Sequence, residues 1–150
     1  MKRSALIVLN LILLASGCSQ GSRETASSDP PTPSGSAIEG KWVVVSSEVE
    51  GQASPENAIR YTKLTFTGED ATLEGRTQKH ELSFTLDTTQ EPKQINLYSK
   101  QEKVRWKGIY RVEGTSLRLS YGPPNGERPT SLDTSRSAKA ILYVLKREDP

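Results

Sequence analysis

The chain has 150 residues, of which 20 are Lys or Arg and 18 are Asp or Glu, with one His and one Cys. Such a length allows one domain. A single Cys excludes a disulfide framework and a thiolate metal cluster, and the near-balanced charge lacks the basic excess of a nucleic-acid binder.

In chain order, Lys2 and Arg3 form a positive start. Residues 5–14 follow as an apolar run interrupted by Asn10, too short to span a bilayer and suited to a secretion leader over residues 1–17. Leu14-Ala15-Ser16-Gly17-Cys18 resembles the lipobox of bacterial lipoproteins. The resemblance implies cleavage after Gly17, a diacylglycerol on the Cys18 thiol and a further acyl chain on its freed amine. Several chains on one residue anchor a protein to a membrane, where a single chain binds only marginally. Ser19 is not the Asp that keeps enteric-type lipoproteins at the inner membrane, which fits an outer-membrane place in the cell envelope. Without Lys2 and Arg3 the 20 basic residues become 18, equal to the 18 acidic ones, so the mature chain is formally neutral. Residues 19–37 are mostly Ser, Thr, Pro and Gly. They cannot bury enough apolar surface to offset their ordering entropy, so residues 18–37 read as a lipidated Cys on a disordered tether.

The folded domain is expected over residues 38–150, where strand signals recur with turns between them. Gly40 and Trp42 lead the first, over residues 42–49. Residues 61–67 set Leu64 and Phe66 on one face, and after Gly68 residues 71–75 do the same with Ala71 and Leu73. Residues 81–87 alternate most clearly, Leu82, Phe84 and Leu86 against Glu81, Ser83, Thr85 and Asp87. Ile95 and Leu97 mark residues 94–99; Val104, Trp106, Gly108, Tyr110 and Val112 mark residues 103–112. Glu113-Gly114 is a hairpin turn, and Leu117, Leu119 and Tyr121 follow on residues 116–121. A Pro- and Gly-rich connection over residues 122–129 precedes a last strand over residues 138–146. Residues 53–60 have room for one helical turn, and no longer helical period is present. The pattern predicts an all-β fold: an antiparallel eight-stranded barrel whose last strand returns beside the first and removes exposed edges. A β-sandwich is the alternative.

Chemistry-bearing patterns are few. His80 sits between Lys79 and Glu81 at a strand start and reads as an exposed strand-end side chain. No Gly-x-Ser-x-Gly elbow, zinc spacing, phosphate loop or dinucleotide fingerprint is present, so neither enzyme, metal nor cofactor is expected. The pairs Glu69-Asp70 and Glu148-Asp149 fall in a turn and at the tail, as solvated charges. Arg128, in the loop before the last strand, is a candidate for ligand contact, with satisfaction of loop carbonyls as its structural role. An eight-stranded barrel is just wide enough to be filled by side chains or to hold one small ligand. The side chains expected to face that interior are Trp42, Phe66, Phe84, Trp106, Tyr110 and Tyr121.

Gly40-x-Trp42 resembles the first-strand signature of lipocalin-like barrels, in which a basic residue after the last strand lies over the Trp ring. Lys146-Arg147 follows the apolar run of residues 140–145, so Gly40, Trp42 and Arg147 are expected to form a structural lock through a cation–π contact. A longer pattern joins Gly40-x-Trp42-x-Val44-Val45, Gly51, Leu64-x-Phe66, Leu86-Asp87, Pro92-x-x-Ile95-x-Leu97, Gly108-Ile109-Tyr110, Leu117-x-Leu119, Arg128-Pro129 and Leu145-Lys146-Arg147. It resembles a small extracytoplasmic domain family of unknown function, found mostly in planctomycete-type bacteria. The resemblance implies a lipocalin-like architecture and carries no substrate or catalytic residue. The segment Thr77-Gln78-Lys79-His80 is shorter and more polar than it implies. The leading functional expectation is a membrane-anchored binding module for a small apolar or amphipathic ligand. The alternative is a protein-interaction or envelope-structural domain with a filled core.

Overall fold

The computed structural model describes residues 36–136 and 139–149. The leader, Cys18, most of the tether and Ala138 of the expected last strand lie outside these residues. Strand β1 is Gly40–Val49, β2 Gln52–Ala53, β3 Lys63–Thr67, β4 Asp70–Glu74, β5 Lys79–Asp87, β6 Lys93–Ser99, β7 Arg105–Glu113, β8 Ser116–Tyr121 and β9 Ile141–Arg147; a single helical turn, α1, is Glu56–Ile59. Every paired neighbour is antiparallel, in the order β1, β3, β4, β5, β6, β7, β8, β9, and β9 pairs back onto β1. The result is a closed eight-stranded barrel. The dipeptide strand β2 is an addition, paired to the end of β1.

Alternation sets the inward face. On β5, Leu82 and Phe84 are buried while Glu81, Thr85 and Asp87 are exposed. On β8, Leu117 and Leu119 are fully buried. The first strand departs from simple alternation. Between Val44 and Ser46 the register against β9 shifts, and this bulge spends an extra residue so that Trp42, Val44 and Ser47 are all buried while Val45 turns out. Glycine permits one close approach inside the sheet: a Cβ on Gly108 would stand 2.7 Å from the Ser120 carbonyl oxygen.

The up-and-down order gives the barrel two different ends. At one lie the start of β1, the tight β3–β4 and β7–β8 turns at Gly68 and Gly114, the loop of residues 88–92 and the end of β9. At the other lie the end of β1, α1, the short β4–β5 turn of residues 75–78, the loop of residues 100–104 and the long connection of residues 122–140. Residues 122–136 of the β8–β9 connection strap the outer face. Arg128 lies over the β6–β7 seam, and Thr134 reaches β1, where its hydroxyl bonds Glu48 and accepts the Gly51 N–H. The outward row Ile109, Ser120 and Leu142, paired across β7, β8 and β9, is buried there. The described residues all fall within one compact unit.

Candidate ligand cavity

The first end is packed shut. Trp42 is fully buried, and its indole N–H donates to the Ile38 carbonyl at 2.7 Å. The Arg147 guanidinium lies 4.3 Å from the centre of that ring. Its nitrogens donate to the carbonyls of Glu39 at 2.6 Å and Ala37 at 2.9 Å. One side chain thus ties the last strand to the segment entering the first and covers the indole with a cation. Gly40 permits this approach: its φ is +118°, and a Cβ there would stand 2.5 Å from an Arg147 nitrogen. Above Trp42, Phe66 and Phe84 pack edge to face with centroids 5.0 Å apart. Tyr110 and Leu117 complete this packed interior.

The second end is not filled. A cavity of about 280 Å³ opens there. Its walls are largely apolar: Leu64, Leu73, Leu82, Leu97, Leu119 and Trp106. Polar atoms come from His80, Glu102, Tyr121 and Tyr143. Tyr121 and Tyr143 meet edge on, centroids 5.5 Å apart. Burial, and then the neighbouring Tyr143 hydroxyl, hold the Tyr121 phenol well above its usual pKa of 10.0. A phenol is protonated near neutrality in any case, so Tyr121 carries an O–H donor at the cavity.

Of the six aromatics expected inside, Trp106 and Tyr121 line the cavity, whereas Trp42, Phe66, Phe84 and Tyr110 fill the closed end. Tyr61, just before β3, is 48% exposed and lies under the Arg76 guanidinium. His80 is half-buried at the cavity rather than exposed. It shares the parity of Leu82 and Phe84 and pairs opposite Leu73, which turns it inward. Tyr143 was missed as a site residue, although it alternates with Ile141 and Leu145. Arg128 is on the outer face: it donates to the carbonyls of Ile95 and Gly108 and, at 2.8 Å, to Asn96 Oδ1. Burial lowers its pKa, with the Asp87 charge acting against the shift. That is the carbonyl-satisfying role, remote from the cavity. Among the described residues no group of three His, Cys, Asp or Glu is placed to hold a metal ion.

The chain matches no family model, no curated protein and no solved structure.

Proposed function

We propose that the protein is an extracytoplasmic lipoprotein, anchored through Cys18, whose barrel holds a small amphipathic ligand at its open end. The observation that supports this reading is the contrast between an apolar cavity with polar groups at one end and close packing at the other. Cavity size limits the ligand. At the ~30 Å³ that one water occupies in the liquid, 280 Å³ is the volume of roughly nine waters. That is near the lower bound of ~300 Å³ for small-molecule sites. A whole phospholipid is far too large; a short acyl chain or a single ring fits. The neutral Tyr121 phenol favours a ligand whose head group accepts a hydrogen bond.

Trp106 lines the cavity and Trp42 does not, so intrinsic fluorescence separates the two ends. The chain from Ser19 onward, titrated with hexanoate, octanoate and palmitate, is expected to show a saturable change in emission that Trp106→Phe removes. Octanoate should bind at least as well as palmitate, because additional methylenes find no room. If no amphiphile alters Trp106 emission, the reading fails and a protein partner becomes the better assignment.

A further inference from the structure

A second site lies outside the barrel, independent of the cavity. Ser83, Thr85, Asn96, Tyr98 and Arg105 border an open hollow of about 310 Å³ on the outer face of β5–β7. Tyr98, Lys103, Arg105, Lys107 and Asn125 border another of about 250 Å³. Tyr98 and Arg105 belong to both, so the two hollows adjoin across that pair and together make an uneven groove. Tyr98 pairs opposite Arg105, and Asn96 opposite Lys107. Arg105 and Lys107 stand two apart on one strand, so both project outward, about 7 Å from each other. Asn125 is fixed at the edge: its N–H donates to the Arg105 carbonyl at 2.7 Å, and its Oδ1 accepts the Arg105 N–H at 3.1 Å.

The charges here are one-sided. No carboxylate borders either hollow. Some cations elsewhere on the barrel meet acids, as in Lys63–Glu148 and Lys100–Asp70, both 2.6 Å, whereas others such as Arg118 and Lys146 stand without one among the described residues. Lys103, Arg105 and Lys107 meet no carboxylate among the described residues. Three uncompensated cations around one groove concentrate positive potential in a chain that is neutral once its leader is removed. Tyr98, 38% exposed, is the aromatic in the middle.

We propose that this groove binds an anionic polysaccharide. A sugar ring stacks on Tyr98, its carboxylate or phosphate groups pair with Lys103, Arg105 and Lys107, and its hydroxyls meet Ser83, Thr85 and Asn96. Single-stranded nucleic acid fits less well, because it uses successive aromatic platforms and this groove offers one ring. A membrane surface fits less well too, because interfacial binding needs apolar side chains beside the cations. The other exposed large apolar side chains, Val45, Val49 and Tyr61, lie on β1 and just before β3.

The test is equilibrium binding of the chain from Ser19 onward to polygalacturonate, with uncharged dextran, oligothymidylate and phosphatidylglycerol vesicles as comparators. Polygalacturonate is expected to bind, more weakly as salt rises, and dextran not to bind. Arg105→Gln combined with Lys107→Gln should weaken binding by about tenfold or more, the scale of two lost charge-assisted contacts. Tyr98→Ala should weaken it several-fold, and in both variants the unfolding midpoint should hold. Arg118→Gln with Lys146→Gln removes two cations outside the groove and should leave affinity intact. Equal loss from that outer pair would mean diffuse charge attraction and overturn the proposal. So would absence of polygalacturonate binding, or tighter binding of oligothymidylate or vesicles through the same residues.

Discussion

The two ends of the barrel are made from the same eight strands, and neither is short of large side chains. The closed end holds Trp42, Phe66, Phe84 and Tyr110; the open end holds Trp106, Tyr121 and Tyr143. What differs is how the strands are joined. Tight turns at Gly68 and Gly114 draw strand ends together, and the Arg147 clasp draws β9 onto the segment before β1. At the other end residues 50–62 separate β1 from β3, whose pairing stops at Val43 and Lys63, while β8 and β9 stay paired as far as Tyr121 and Ile141. Aromatic side chains alone therefore do not decide whether a barrel interior is full; the Arg147 clasp accompanies the closed end and the separation of β1 from β3 the open one.

The contrast is tested most strongly at its two tryptophans. Trp42→Ala should cost about 3–5 kcal/mol in urea unfolding, as for a fully buried aromatic. Trp106→Ala, at the half-buried cavity wall, should cost clearly less, and equal costs would break the distinction between the ends. Next comes a pair on one strand and one face. Ala71 is buried against Phe66 and Leu82 in register, whereas Leu73 borders the cavity. Ala71→Phe should destabilise by about 1–3 kcal/mol through overpacking. Leu73→Phe should stay within about 0.5 kcal/mol of the parent and abolish the octanoate response of Trp106. Arg147→Ala, which loses two carbonyl bonds and the ring contact, should cost about 2 kcal/mol. Arg147→Lys should recover only part, because an ammonium cannot hold both carbonyls in the same planar fork.

The smallest effects are those of pH, and they fall on opposite ends. The Lys63 ammonium holds the Glu148 carboxyl below its usual range, beside the clasp. A lowered carboxyl stabilises above its unfolded pKa, and that contribution is lost as pH falls through the lowered value. The same pair raises Lys63, whose share persists until pH climbs through the raised value. Both groups are solvent-exposed, so the change should be slight and salt-sensitive. Tyr121 runs the other way. Its phenol is held protonated by burial, so its contribution is present below pH 10.0 and lost as pH rises through the raised value. Single-tryptophan variants should report acid loosening at Trp42 and alkaline loosening at Trp106; the reverse order would contradict the assignment of the two ends.

Much of this architecture could be read from the chain. The alternation of Leu82, Phe84 and Leu86 against charged and hydroxyl neighbours placed β5, and eight expected strands match those observed to within a few residues. Gly40, Trp42 and Arg147 carried the geometry of the closed end because each has a narrow physical use: positive φ, large buried area, a planar cation. Other features are set at a distance. The bulge after Val44 depends on where β9 can pair, which local residues do not state. Parity tells that Trp106 and Phe84 both face inward, but not their height along the barrel axis, and height decides which one meets the cavity. His80 looked exposed because its sequence neighbours are charged; its pairing opposite Leu73 turned it in. The outer burial of Ile109 and Leu142 needs the strap of residues 122–136, whose path no periodicity encodes.

One mechanical consequence follows from the clasp. The start of β1 and the end of β9 lie side by side, Trp42 opposite Arg147. Tension applied between residues preceding β1 and residues following β9 would enter the barrel at that rung. It would open the β1–β9 seam one hydrogen-bonded pair at a time rather than shearing the whole seam at once. The two contacts from Arg147 to the carbonyls of Ala37 and Glu39, the Glu148 N–H to Lys41 carbonyl bond and the Lys63–Glu148 ion pair stand ahead of the first rung, so a pull meets this small cluster before the paired strands themselves are strained.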